Sequence, residues 1–131
     1  MKRDMDLVRE ILLRVEEADK ECGMEDLLPE GVSEDETRKY EYHLDMLVNQ
    51  TGFVTGVNIS GLSGETWIDL KLTWNGHEFL EAVRDPEIWR RAKEGAKKVG
   101  SASIDFLWEA AKAYARHLAK EKLGFPLIDP A

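Results

Sequence analysis

The 131 residues carry a formal charge of −8, from 18 Lys/Arg against 26 Asp/Glu, and 43% of them are hydrophobic, enough to bury a core. One cysteine, Cys22, excludes an internal disulfide, and no His/Cys cluster has metal-ligand spacing. No apolar run is long enough to span a membrane and the start MKRDMDLVRE lacks a signal-peptide core, so a soluble cytoplasmic protein is expected.

In chain order, Leu7, Val8, Ile11, Leu12 and Val15 form the apolar stripe of a first helix over residues 5–17, with Asp4 as its N-cap. Residues 19–34 are less regular. Gly23, Pro29 and Gly31 punctuate them, and Met24, Leu27 and Leu28 predict only a very short strand or turn tucked into the core. Ser33 with Glu36 three residues on is a capping box opening a strong helix to about Gln50, closed by Gly52. Its inward stripe is Thr37, Tyr40, Leu44, Leu47 and Val48. Its outward face shows Asp35, Arg38, Lys39, Tyr42, Asp45, Met46 and Asn49.

A hairpin follows, with Thr55, Val57 and Ile59 alternating with Gly56, Asn58 and Ser60, and a loop over 61–65. On the return strand Ile68, Leu70 and Leu72 point one way, Asp69 and Lys71 the other. The period then changes. Thr73 caps a helix whose stripe is Gly76, Phe79, Leu80 and Val83. Asp85-Pro86 opens a fifth helix (stripe Ile88, Trp89, Ala92, Ala96, Val99) that stops at Gly100. Ser101 or Ser103 caps a last helix to about Lys122, lined by Ile104, Leu107, Trp108, Ala111, Tyr114, Ala115 and Leu118, and the apolar tail FPLIDPA is free to fold back. The predicted fold is α+β: a winged-helix-like body, helices plus a β-hairpin wing, over residues 1–83. Two C-terminal helices over 84–131 pack on it or on a second subunit.

The opening MKRDMDLVREILLRVEE and the phrases YEYHLDMLVNQTGFV and LTWNGHEFLEAVRDPEIW resemble an uncharacterised family found mostly in phages and prophages, catalogued as domain of unknown function 2513. The resemblance runs in order over about Met1–Leu107. It implies a small prophage-type protein with a winged-helix-like body and brings no catalytic residue, cofactor or partner with it.

Charge is unevenly spread. Residues 1–83 hold eight Lys/Arg against nineteen Asp/Glu, a net of −11; residues 84–131 hold ten against seven, a net of +3. Nonspecific affinity for nucleic acid comes from neutralised phosphates, so the acidic body works against DNA. The helix at the recognition position carries five acids and two bases over Ser33–Gln50, and the loop over 61–65 has no Lys or Arg. A DNA-reading role would use Arg38, Lys39 and Asn49. A protein-binding role would use Tyr42 and Met46, one turn apart, within a mixed-charge rim, although two exposed semi-apolar side chains are also ordinary surface. On the last helix Phe106, Ala110, Ala113 and His117 form a second stripe. The first helix, the fifth helix or the same helix of a second chain would cover it, the last making a homodimer. The basic run Arg84, Arg90, Arg91, Lys93, Lys97 and Lys98 reads as a solvated helix face and as the better DNA candidate if DNA is bound. His43 reads as a hydrogen-bonded residue at the core edge. GLSGE at 61–65 lacks the glycine spacing and the strand-to-helix setting of a nucleophile elbow.

The expectation is therefore a non-enzymatic phage-type accessory protein, without cofactor or metal, that binds a protein partner, a basic one by charge. The alternatives are a winged-helix transcription regulator and a structural or packaging helper with no separate ligand.

Overall fold

A computed structural model describes residues 1–18, 20–61 and 64–124, with the side chains of 60, 61, 64 and 65 excepted. Among these residues the fold is α+β, six helices and one two-stranded antiparallel hairpin. The chain forms two compact units, Met1–Leu80 and Glu81–Ala131.

In the first unit, α1 (Met5–Glu17) begins where the Asp4 carboxylate accepts the Leu7 N–H at 3.1 Å and buries Val8, Ile11, Leu12 and Val15, as its periodicity predicts. A single turn, α2 (Met24–Leu27), follows. The N–H of its N-cap residue, Gly23, donates to the Asp26 carboxylate at 2.8 Å, and Met24 and Leu27 are buried. The segment is thus one helical turn, not a strand. α3 (Glu34–Asn49) starts at Ser33, whose hydroxyl accepts the Glu36 N–H at 3.1 Å.

The hairpin pairs β1 (Val54–Gly61) with β2 (Gly64–Leu72). Its ladder reaches Gly61 opposite Gly64, so residues expected in the loop belong to the strands; residues 62 and 63, like the tail over 125–131, lie outside the described residues. Register slips once. Thr55 faces Lys71 but Val57 faces Ile68, so β2 carries one extra residue. That residue is Asp69, in the left-handed region at φ 53°. One extra residue moves everything before it to the opposite face. Leu70 is buried as expected, but Trp67, 4% exposed, takes the inward place expected of Ile68, which is 37% exposed. On β1 the inward set begins with Val54, while Val57 and Ile59 face solvent. Gly56 sits opposite the bulge. A Cβ there would come within 2.6 Å of the Leu70 side chain, so only glycine lets Leu70 lie across the strand.

α4 (Trp74–Val83) is tied to the start of the hairpin by Thr73. Its hydroxyl donates to Gly52 O at 2.6 Å and accepts the Gly76 N–H at 3.1 Å, the cap read from the sequence. Phe53 O lies where a Cβ on residue 76 would sit, 2.1 Å away, so α4 rests directly on the Phe53 backbone. Phe79 stacks on Phe53 at 5.1 Å. The predicted stripe Gly76, Phe79, Leu80 and Val83 is buried throughout. Phe79, Leu80, Ile11, Leu12, Leu44 and Leu47, each fully buried, contribute about 2 kcal/mol apiece of transfer free energy.

In the second unit, the Asp85 carboxylate caps α5 (Pro86–Val99) by accepting the Glu87 and Ile88 N–H groups at 2.9 and 3.0 Å. Ser103 caps α6 (Ile104–Leu123) by accepting the Phe106 N–H at 3.1 Å. The two helices pack together, burying Trp89, Ala92 and Ala96 of α5 and Leu107 and Ala111 of α6. Val99, expected in the α5 stripe, is 62% exposed in the last turn.

Candidate functional site

The outward face of α3 was the first place expected to meet a partner. Both of its cations are engaged within the chain. Arg38 pairs with Asp35 at 2.6 Å, and Lys39 reaches Asp4 at 2.9 Å. The Asn49 amide donates to Asp45 at 2.7 Å. Tyr42 is exposed at 39%, but Met46 is buried at 9%. The buried face of α3, comprising Tyr40, His43, Leu44, Met46 and Leu47, is wider than the stripe read from the sequence, and it takes Met46 off the outward surface. Tyr42 and Met46 therefore do not form the exposed pair that was expected.

Behind this face His43 is fully buried and joins α3 to the cap of α1. The Asp4 N–H donates to its Nε2 at 2.8 Å, which leaves Nδ1 to donate to Lys39 O at 2.7 Å. The imidazole is thus held as one neutral tautomer. The hydrogen bond from Lys39 holds the Asp4 carboxyl below its ordinary range, helped by the Leu7 N–H, and Asp4 in turn raises Lys39. His43 is a structural tie, deeper than the core-edge place expected of it.

In the second unit the second stripe of α6 is not uniformly open. The Phe106 ring lies 3.9 Å from the position of a Cβ on Gly95, so it packs against α5. Ala110 is half-buried, Ala113 and His117 are exposed, and His117 pairs with Glu121 at 3.1 Å. On α5 the basic run is interleaved with acid. Arg90 is held by Glu87 and Glu94, Arg91 reaches Glu87 at 3.2 Å and lies over the Tyr114 ring at 5.5 Å, and Arg84 pairs with Glu81 at 3.2 Å. The same hydrogen bonds, led by that from Arg90, lower the Glu87 carboxyl to about 2.

What the sequence reading missed lies on the hairpin. Val57, Ile59 and Ile68 share its outward face and are 51%, 44% and 37% exposed. Beside them, between the hairpin and the end of α1, is a cleft of about 900 Å³ lined by Val57, Glu16, Glu21, Asp69, Lys71 and His77 among others. A second cleft of about 880 Å³ shares Ala18, Lys20 and Glu21 with it and adds Glu10, Glu17 and Asp26. Together the two clefts present six carboxylates against Arg14, Lys20 and Lys71. Arg14 is itself committed to Glu10 at 2.9 Å and to Leu27 O at 2.6 Å. One signal was available: β1, VTGVNISG, contains no charged residue. The slip at Asp69 decides which apolar side chains stay outside, and no alternation pattern shows it.

Among the described residues no group of three or more His, Cys, Asp or Glu is placed to hold a metal ion, and no helix is long and apolar enough to cross a membrane. Residues 2–103 match the family model described as "Hypothetical protein (DUF2513)". The chain belongs to this family. The matched segment runs from the approach to α1 up to Ser103, the cap of α6. An uncharacterised protein of Haemophilus influenzae is 32% identical over 124 residues, 95% of this chain and all of that protein, so its similarity to this DUF2513 chain extends into α6. No solved structure matches the chain.

Proposed function

We propose that this DUF2513 chain is a phage- or prophage-type accessory protein that works by binding another protein through its acidic first unit. The observation that carries this reading is the pairing on α3. The two cations a DNA-reading helix would turn to phosphates, Arg38 and Lys39, are each held by a carboxylate, while the hairpin keeps an apolar face in solvent. A surface of carboxylates beside exposed aliphatic side chains suits a protein partner with cationic groups, because complementary charge raises the encounter rate and selects the partner. The phage setting rests on the family resemblance alone.

A second reading is a winged-helix transcription regulator that dimerises through α6 and meets DNA with Arg38, Lys39 and the run after Arg84. The element order, with α3 leading directly into the hairpin, favours it. Exposed ion pairs such as Arg38–Asp35 are weak, and a phosphate could displace the carboxylate. Fluorescence anisotropy of a mixed-sequence duplex, titrated with the full chain at about 50 mM and about 200 mM salt, separates the two readings. Protein binding predicts no saturable binding at either salt. Binding that weakens by orders of magnitude between them, and is lost in Arg38→Glu/Lys39→Glu, would establish the regulator.

A further inference from the structure

We propose that β1 takes up an extended segment of a cationic protein as a third strand, resting on the reading above that the first unit binds protein. A two-stranded sheet has two outer edges, and one is occupied. The Leu70 N–H of β2 donates outward to Cys22 O at 2.9 Å, and a Cβ on Gly23 would stand 3.4 Å from Trp67 O, so the 22–23 segment runs along β2. β1 is the edge that remains. Among the described residues, the backbone of 54–59 makes no hydrogen bond to any element but β2.

Proteins blunt such edges with lysines, prolines or inward charges. The β1 sequence VTGVNISG has none of these, and two of its β-branched side chains, Val57 and Ile59, stand in solvent. An added strand would continue the ladder and lay alternate apolar side chains beside them, main-chain bonds giving affinity and side-chain neighbours giving selectivity.

Charge selects the occupant. β1 belongs to a body of net charge −11 over residues 1–83, in which the cleft that reaches Val57 sets Glu16, Glu21 and Asp69 against Lys20 and Lys71. A second copy of the chain carries the same acidic body, and the two bodies would meet with like charge. A strand alternating apolar residues with Lys or Arg would bring the opposite charge to that acidic body.

The test uses the isotopically labelled full chain and a synthetic decapeptide alternating valine and lysine. Amide exchange is followed by NMR. The expected result is slowed exchange at alternate amides within Thr55–Ile59. The same peptide N-methylated along its bonding edge should have no effect, nor should a valine–glutamate peptide. Ile59→Lys, a change at an already exposed position, should weaken binding about tenfold or more with unchanged circular dichroism. Protection confined to α3, or binding indifferent to N-methylation, overturns strand addition while leaving protein binding in place. Protection at β1 that grows with the concentration of the chain alone assigns the edge to a second copy and overturns the cationic occupant. No protection at millimolar peptide overturns the proposal, whereas failure of the protein-binding reading itself appears as salt-sensitive binding of the duplex.

Discussion

Single residues tie distant parts of the first unit together. Asp4 caps α1 with its carboxylate, gives its N–H to the buried His43 and takes the Lys39 ammonium at 2.9 Å. Its role as a cap was legible in the sequence, because an acid just before an amphipathic stripe is a local signal. Its partners 35 and 39 residues away were not, because nothing in a local pattern encodes them. Asp4→Ala should cost about 1 kcal/mol through the lost cap. Asp4→Asn keeps a capping oxygen and isolates the charge. Lys39 lowers the Asp4 carboxyl from 3.8, so its contribution is complete above that pH and fades as pH falls through the still lower folded value. The difference in thermal midpoint between the wild-type chain and Asp4→Asn should therefore be constant from about pH 5 to 8 and close below about pH 4. A gap that persists at the lowest pH would mean the Lys39 pair contributes nothing.

Among the elements, helices were more legible than the hairpin. The caps at Asp4, Ser33, Thr73 and Asp85 and the α1 and α4 stripes needed only local information. Met46 and Val99 were misplaced because periodicity fixes the centre of a buried stripe and tertiary neighbours set its edges. The hairpin failed differently, since one residue at φ 53° reverses the face of everything before it on β2. Aspartate tolerates that conformation better than most residues, and glycine adopts it freely. In urea unfolding, Asp69→Gly should leave stability unchanged or raise it by up to about 1 kcal/mol, while Asp69→Val should lower it by about 1–3 kcal/mol. Equal stability of the two variants would mean that the bulge relaxes and the register is not pinned at residue 69.

The whole molecule is an acidic body of net −11 over residues 1–83 followed by a segment of net +3 over 84–131, and this imbalance was readable by counting. Which apolar side chains stay exposed was not. The sequence pointed to α3, where Arg38 and Lys39 are paired and Met46 is buried. The exposed apolar face belongs to Val57, Ile59 and Ile68, beside the acidic clefts at the end of α1. The most direct test of this account places a photocrosslinking amino acid at Ile59 in one full-length variant and at Arg38 in another, in living cells. The account predicts that the probe at Ile59 joins one discrete protein of net positive charge and that the probe at Arg38 joins none. Crosslinks to DNA or protein from Arg38, with none from Ile59, would contradict it.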